Sequence, residues 1–220
     1  MAFKTILFDL DGTLTDPKVG ITTCCQYGLR AVGVDVPDLK ELEQFIGPPL
    51  IPAFQEVYGI TEDQARLALE KYRERFTDIG IYENELLPGV PQMLETLKTA
   101  GKVVATASSK PELFVKRILE HFSIDGYFDE IAGSTMDEKH AGKAEVVADV
   151  LRRLHIPEEE KASVIMVGDR KHDVEGAHQN GLRAIGVLYG YGDREELTRA
   201  GADGLAATVE ELQQLLEGTV

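Results

Sequence analysis

From Leu87 onward, short β-prone runs alternate with helical patterns, and this restricts the chain to a parallel sheet covered by helices. Strands are predicted at Lys102–Ala107, Glu130–Gly133, Val164–Val167 and Arg183–Val187. Between them, Val90–Ala100 ends at Gly101, Pro111–Phe122 opens with proline near its first turn, and Lys143–Leu154 has helical apolar spacing. A capping box, Thr208-Val209-Glu210-Glu211, opens a final helix with Leu212, Leu215 and Leu216 on its inner face. The N-terminal run Thr5-Ile6-Leu7-Phe8 is also short, apolar and β-prone, and it ends in Asp9-Leu10-Asp11-Gly12. Open α/β sheets bind ligands at the carboxyl ends of their strands. Two like charges at such an end repel, and burial adds a desolvation penalty, so a cation is expected between them. Taken alone, Asp-x-Asp-Gly reads equally well as an acidic turn.

Residues 17–82 break the alternation, with helical patterns at Ile21–Val32, Asp38–Ile46, Leu50–Tyr58 and from the capping box Thr61-Glu62-Asp63-Gln64 to about Thr77. An ordinary crossover between strands needs one helix, so four favour a separate lid inserted after the first strand. The expected organisation is an α/β core, a doubly wound parallel sheet of Rossmann-like type over 1–16 and 83–220, with a small all-helical domain over 17–82. A chain of 220 residues can bury a full core.

A formal charge of -15 excludes a phosphate-backbone partner, because nucleic acid needs clustered Lys and Arg. Any site for a phosphate group must then be a local positive pocket built from a metal, a lysine and backbone amides. Cys24 and Cys25 are adjacent, which disfavours a structural disulfide between them and points to a reducing compartment. No apolar run approaches membrane-spanning length, and Asp9 and Asp11 interrupt any signal-peptide core. A cytoplasmic protein without a membrane partner is expected, monomeric or homodimeric.

Further polar groups fall at other strand ends. Ser108-Ser109-Lys110-Pro111 follows the second predicted strand of the sheet and leads into a helix, as a phosphate cradle or an ordinary N-cap would. Gly168-Asp169-Arg170-Lys171-His172-Asp173 follows the strand Val164–Val167, with Asp173 also readable as a helix cap. Lys143 opens a helix, where the macrodipole disfavours a cation, and this hints at an anion nearby. Lys110 and Lys139 compete for the same role. His172 and His178 are candidate bases, although a histidine on a polar helix is more often solvated.

In this order and context, the groups resemble the four motifs of the haloacid dehalogenase superfamily: Asp9-x-Asp11-Gly12-Thr13, Ser108, Lys143 and Gly168-Asp169-x-x-x-Asp173. The resemblance spans the chain, and the helical insertion is similar to the family's small C1-type cap. Ile46-Gly47-Pro48-Pro49-Leu50, Gly80-Ile81-Tyr82-Glu83, Gly168-Asp169-Arg170-Lys171 and Tyr189-Gly190-Tyr191-Gly192 resemble the phosphoglycolate phosphatase branch and its bacterial 5'-nucleotidase-like members.

The resemblance implies a phosphatase acting on a small-molecule phosphate ester, such as phosphoglycolate or a nucleoside 5'-monophosphate. In it, Asp9 is the nucleophile that forms an aspartyl-phosphate, and Asp11 is the general acid and base. Magnesium (Mg2+) is held by Asp9, the backbone carbonyl of Asp11 and Asp169. Ser108, Ser109 and Lys143 bind phosphoryl oxygens, and Asp173 orients Lys143 or a metal-bound water. The second motif departs from the common pattern, so Thr106 or Ser109 competes with Ser108 as its hydroxyl. An Asp at position 11 favours a phosphatase or phosphomutase over a dehalogenase. A phospho-aspartate signalling or binding module is the alternative from another class, although such receivers are about half as long and lack the insertion.

Overall fold

The structure is a computed structural model and describes residues 3–136 and 142–218. In chain order its elements are β1 (Thr5–Phe8), β2 (Thr15–Asp16), α1 (Lys18–Arg30), α2 (Leu50–Tyr58), α3 (Glu62–Phe76), β3 (Glu85–Leu86), α4 (Val90–Thr99), β4 (Val103–Pro111), α5 (Glu112–His121), β5 (Glu130–Ser134), α6 (Lys143–Arg153), β6 (Val164–Gly168), α7 (Lys171–Gln179), β7 (Arg183–Val187), α8 (Arg194–Ala200), β8 (Gly204–Ala206) and α9 (Val209–Glu217). The chain forms two compact units, Met1–Thr15 with Leu86–Val220, and Asp16–Glu85.

The first unit is built on a six-stranded sheet of order β5-β4-β1-β6-β7-β8, with the paired strands parallel. Every residue of β1 is buried, which explains the apolar run Ile6-Leu7-Phe8 after Thr5: a central parallel strand has no solvent face. Leu7, Ala107, Val147, Met166 and Val174 meet in the core that seats α6 and α7 on the sheet. With β4 on one side of β1 and β6 on the other, the carboxyl end of β1 lies at the reversal of strand order, where such sheets open a crevice.

The second unit is helical. Phe45 and Phe54 meet edge to face with ring centroids 5.0 Å apart, and Tyr72 stacks on Phe76 at 5.1 Å. Arg75 holds Glu83 through two hydrogen bonds, of 2.7 and 2.8 Å, and donates to Cys24 Sγ at 3.2 Å. Both cysteines are buried thiols rather than disulfide partners. Among the described residues, no helix is long and apolar enough to cross a membrane.

Several elements differ from the sequence expectation. β4 continues to Pro111 instead of ending at Ala107, because a register shift between Ser108 and Pro111 keeps the chain paired with β5. Accordingly, α5 is preceded by Pro111 with no side-chain cap, and Ser108 is a strand residue. Asp38–Ile46 is a 3₁₀ helix over Leu39–Phe45, with the Asp38 carboxylate accepting from the Lys40 amide. α7 starts at Lys171, so Asp173 lies within its first turn. β8 and α8 carry too few residues to show a period, and neither is legible in the hydrophobic pattern.

Candidate active site

The register of the sheet sets the groups side by side. Phe8 is level with Thr106 of β4 and Val167 of β6, so Asp9 follows that rung by one residue, and Ser108 and Asp169 by two. The Asp9 amide donates to Val167 O at 2.9 Å, extending the β1–β6 ladder to the first carboxylate. Beyond it the chain must turn at once. Gly12 has φ +81, and a Cβ there would stand 2.2 Å from Asp169 Oδ2, so a side chain would push the two loops apart.

Lys143, the first residue of α6, is buried and reaches three acceptors. Its Nζ lies 2.8 Å from Asp9 Oδ1, 2.8 Å from Asp173 Oδ1 and 2.8 Å from Ala107 O. An ammonium has three protons, and these partners suffice for all of them. Burial works against the charge, but the Asp173 and Asp9 carboxylates outweigh it and hold the lysine's pKa above its ordinary value. The anion hinted at by a lysine on a helix N-terminus is thus the carboxylate pair. Asp173 is also held at its other end, where Oδ2 accepts from the Arg170 amide at 3.0 Å. It caps α7 and orients Lys143 with the same carboxylate.

Asp11 takes a different partner. Its Oδ2 lies 2.9 Å from Lys110 Nζ, and both side chains are less than a tenth exposed. Burial nonetheless pushes the Asp11 carboxyl above its ordinary range, with Lys110 pulling it down and Asp9 pushing it up. Asp169 is fully buried; one of its oxygens, Oδ2, accepts from the Tyr191 amide at 2.7 Å, while Oδ1 is buried without a hydrogen-bond partner. Burial, followed by the Asp173 and Asp9 charges, drives the Asp169 carboxyl well above its ordinary value.

These groups fit a divalent cation. Asp9, Asp169 and Asp173 each offer a carboxylate oxygen, and the three lie within 4.8 Å of one another. Against the four buried carboxylates Asp9, Asp11, Asp169 and Asp173 stand two buried ammonium groups, Lys110 and Lys143. The ionised cluster therefore carries two excess negative charges, which one divalent ion balances. Oxygen donors alone suit a hard ion such as magnesium. Asp173 Oδ1 is ion-paired with Lys143 and its Oδ2 accepts from the Arg170 amide, whereas Asp169 Oδ1 is buried with neither a hydrogen bond nor an ion pair, so Asp169 has the better disposed acceptor.

Among the hydroxyls, Thr106 donates to Ala132 O and accepts from Ala132 N, each at 2.9 Å, and so is committed to the β4–β5 ladder. Ser108 is buried beside the site and its Oγ accepts from the Lys110 amide at 3.3 Å, while Ser109 next to it is half-buried. Neither histidine joins the cluster among the described residues. His178 pairs with Asp203 at 3.1 Å, and His172 is half-buried, with its pKa lowered by burial and by Lys171 and Arg170. Lys139 lies outside the described residues. Two partners went unassigned in the sequence: the Lys110 ammonium on Asp11 and the Tyr191 amide on Asp169. The cue for the second is Tyr189-Gly190-Tyr191-Gly192, directly beyond strand β7.

Residues 6–187 match the family described as haloacid dehalogenase-like hydrolase. A 5'-nucleotidase of Pseudomonas aeruginosa is 42% identical over 99% of this chain and 97% of its own length. The tyrosine-protein kinase PtkA of Mycobacterium tuberculosis is 36% identical over 97% of this chain and 72% of its own. A phosphoglycolate phosphatase of Vibrio parahaemolyticus is 32% identical over 97% and 96%. The crystal structure of a predicted phosphatase from Clostridium acetobutylicum superposes with a TM-score of 0.94 at 42% identity, covering 98% of this chain and 99% of that one.

Proposed function

We propose that this chain, which belongs to the haloacid dehalogenase-like hydrolase family, is a magnesium-dependent phosphatase that hydrolyses small phosphate monoesters through a covalent aspartyl-phosphate. The phosphatase class is supported by relatives along the whole chain, among them the 5'-nucleotidase and the phosphoglycolate phosphatase. The observation that carries the mechanism is the pairing of two buried carboxylates with two separate lysines, Asp9 with Lys143 and Asp11 with Lys110. It divides their labour.

Asp9, in contact with Lys143 at 2.8 Å, attacks phosphorus; the new bond is between its carboxylate oxygen and phosphorus, and the bond to the ester oxygen breaks. Asp11, whose carboxyl is pushed up by burial, gives its proton to the departing alkoxide. The Asp11 carboxylate then takes a proton from the water that attacks the aspartyl-phosphate, releasing inorganic phosphate and restoring both residues. Lys143 meets the phosphoryl oxygens by exchanging one of its resting acceptors, and the hydroxyl of Ser108, with Ser109 beside it, supplies further donors. Asp9, the backbone carbonyl of Asp11 and Asp169 would hold magnesium, with Asp173 turning Lys143 toward the phosphate. The ion supplies charge neutralisation for an anionic substrate entering an acidic cluster.

Phosphoglycolate and nucleoside 5'-monophosphates are the substrate classes we propose, by likeness to the relatives. The test is phosphate release from both classes, with magnesium and with chelator. Turnover of either, lost on chelation, supports the reading; turnover unaffected by chelation overturns the metal requirement, and no turnover of any monoester overturns the class.

A further inference from the structure

The segment Tyr189–Gly192, which takes no part in the chemistry above, touches both loops that carry the carboxylates. Its Tyr191 amide donates to Asp169 Oδ2 at 2.7 Å, and the Tyr189 hydroxyl donates to Thr13 O at 3.3 Å. The approach is so close that side chains are excluded. A Cβ on Gly190 would lie 2.3 Å from Asp169 Cβ and 2.5 Å from Gly12 O, and a Cβ on Gly192 would lie 2.0 Å from Asp169 O. From the other side, a Cβ on Gly12 would lie 2.8 Å from the Tyr191 ring. Two other backbone segments, the Gly12 loop and Tyr189–Gly192, therefore close on one buried aspartate.

From this convergence we infer that Tyr189–Gly192 is a strap that fixes Asp169 and sets the protein's affinity for its divalent cation. The physical reason is selective occupation of one carboxylate edge. The Tyr191 amide takes Oδ2 and fixes the rotation of the carboxylate, which leaves Oδ1, the oxygen with no hydrogen-bond partner, as the acceptor available to an ion. Gly190 lets the strap reach Asp169 and Gly12 together, so the β1 loop and the Asp169 loop keep a constant separation. Metal affinity depends on that separation because the donors sit on different strands. Gly190, Tyr191 through its amide, and Tyr189 are positioning residues, since none supplies a ligand atom.

The inference rests on Asp169 being a metal ligand, and the experiment separates the two. Magnesium binding to the intact chain is measured by titration calorimetry, and turnover is followed against magnesium concentration, for Gly190→Ala, Tyr189→Phe, Asp169→Asn and the control Gly126→Ala, whose Cβ meets nothing within 4 Å. Gly190→Ala is expected to weaken magnesium binding about 10- to 100-fold, with turnover regained at high magnesium. Tyr189→Phe, which deletes only the hydroxyl anchoring the strap to the Thr13 carbonyl, is expected to weaken it several-fold, and Gly126→Ala not at all. Tyr189→Phe keeps the test decisive if Gly190→Ala does not fold. Wild-type magnesium affinity in a folded Gly190→Ala, or in Tyr189→Phe when the first does not fold, overturns the strap while loss of binding in Asp169→Asn preserves the metal site. Wild-type binding in Asp169→Asn overturns the site itself.

Discussion

Lys143 Nζ and Asp9 Oδ1 stand 2.8 Å apart in the buried centre of the site, although 134 positions separate the two residues in the chain. The contact joins the start of α6 to the end of β1, and a second 2.8 Å contact ties the same ammonium to Asp173. Both carboxylates, buried among the core strands and helices, thereby share one counter-charge.

Lys143→Met should therefore act on both folding and chemistry. Removing one partner from a buried ion pair costs about 3–5 kcal/mol, and loss of a phosphate donor lowers kcat about 10²- to 10³-fold. Urea unfolding in chelator and steady-state kinetics measure the two. Part of the lost stability should return with magnesium, because the ion supplies the missing positive charge.

Lys110 lowers the Asp11 pKa against the effect of burial. In Lys110→Met that opposition is gone, the carboxyl is pushed further up, and Asp11 keeps its proton to higher pH. The alkaline limb of the kcat/KM profile, which reports the acid form in the free enzyme, should move upward in pH. An unchanged limb would show that a different group donates the proton.

Thr106 and Ser108 should separate into a structural and a functional hydroxyl. Thr106→Val leaves the buried Ala132 amide and carbonyl without that partner and should destabilise the protein by about 1–3 kcal/mol with little change in kcat. Ser108→Ala should do the reverse, lowering kcat/KM while the unfolding midpoint stays near wild type. Paired melts and kinetics on the two variants decide it.

The acidic cluster should make magnesium stabilisation depend on pH. Asp11, Asp169 and Asp173 all hold their protons more tightly in the folded state than in the unfolded one, mainly through burial. Without metal, stability from these groups is fullest below the unfolded carboxylate pKa of about 4 and declines as the pH rises through the folded values. His172, with a lowered pKa, works in the opposite direction, so the informative quantity is the difference between magnesium and chelator at each pH. That difference in Tm should be small at pH 5 and larger at pH 7, since the ion requires ionised carboxylates. A difference independent of pH would contradict a carboxylate site.

Much of the core was legible because parallel strands buried on both faces are nearly continuous apolar runs, and Thr5–Phe8, Val164–Gly168 and Arg183–Val187 show this directly. The site groups were legible for a related reason: charge is costly at the end of a buried strand, so Asp9 and Asp169 stand out against their surroundings. Other features were hidden, α8 among them. β8 is three residues long, the continuation of β4 to Pro111 depends on a register shift, and the Asp38–Ile46 pattern gives no sign that its turns tighten to 3₁₀. Pairings across the fold were hidden too, because nothing local to Lys110 or Tyr191 specifies that one meets Asp11 and the other Asp169. Those contacts exist only once the strands are in register.

The central claim, that Asp9 carries the covalent bond, is tested most directly by turnover of p-nitrophenyl phosphate in magnesium by Asp9→Asn, alongside wild type. An amide in place of the carboxylate cannot form the aspartyl-phosphate, so activity should fall to background in a variant that still melts cooperatively. Turnover by Asp9→Asn at the wild-type rate would contradict the account.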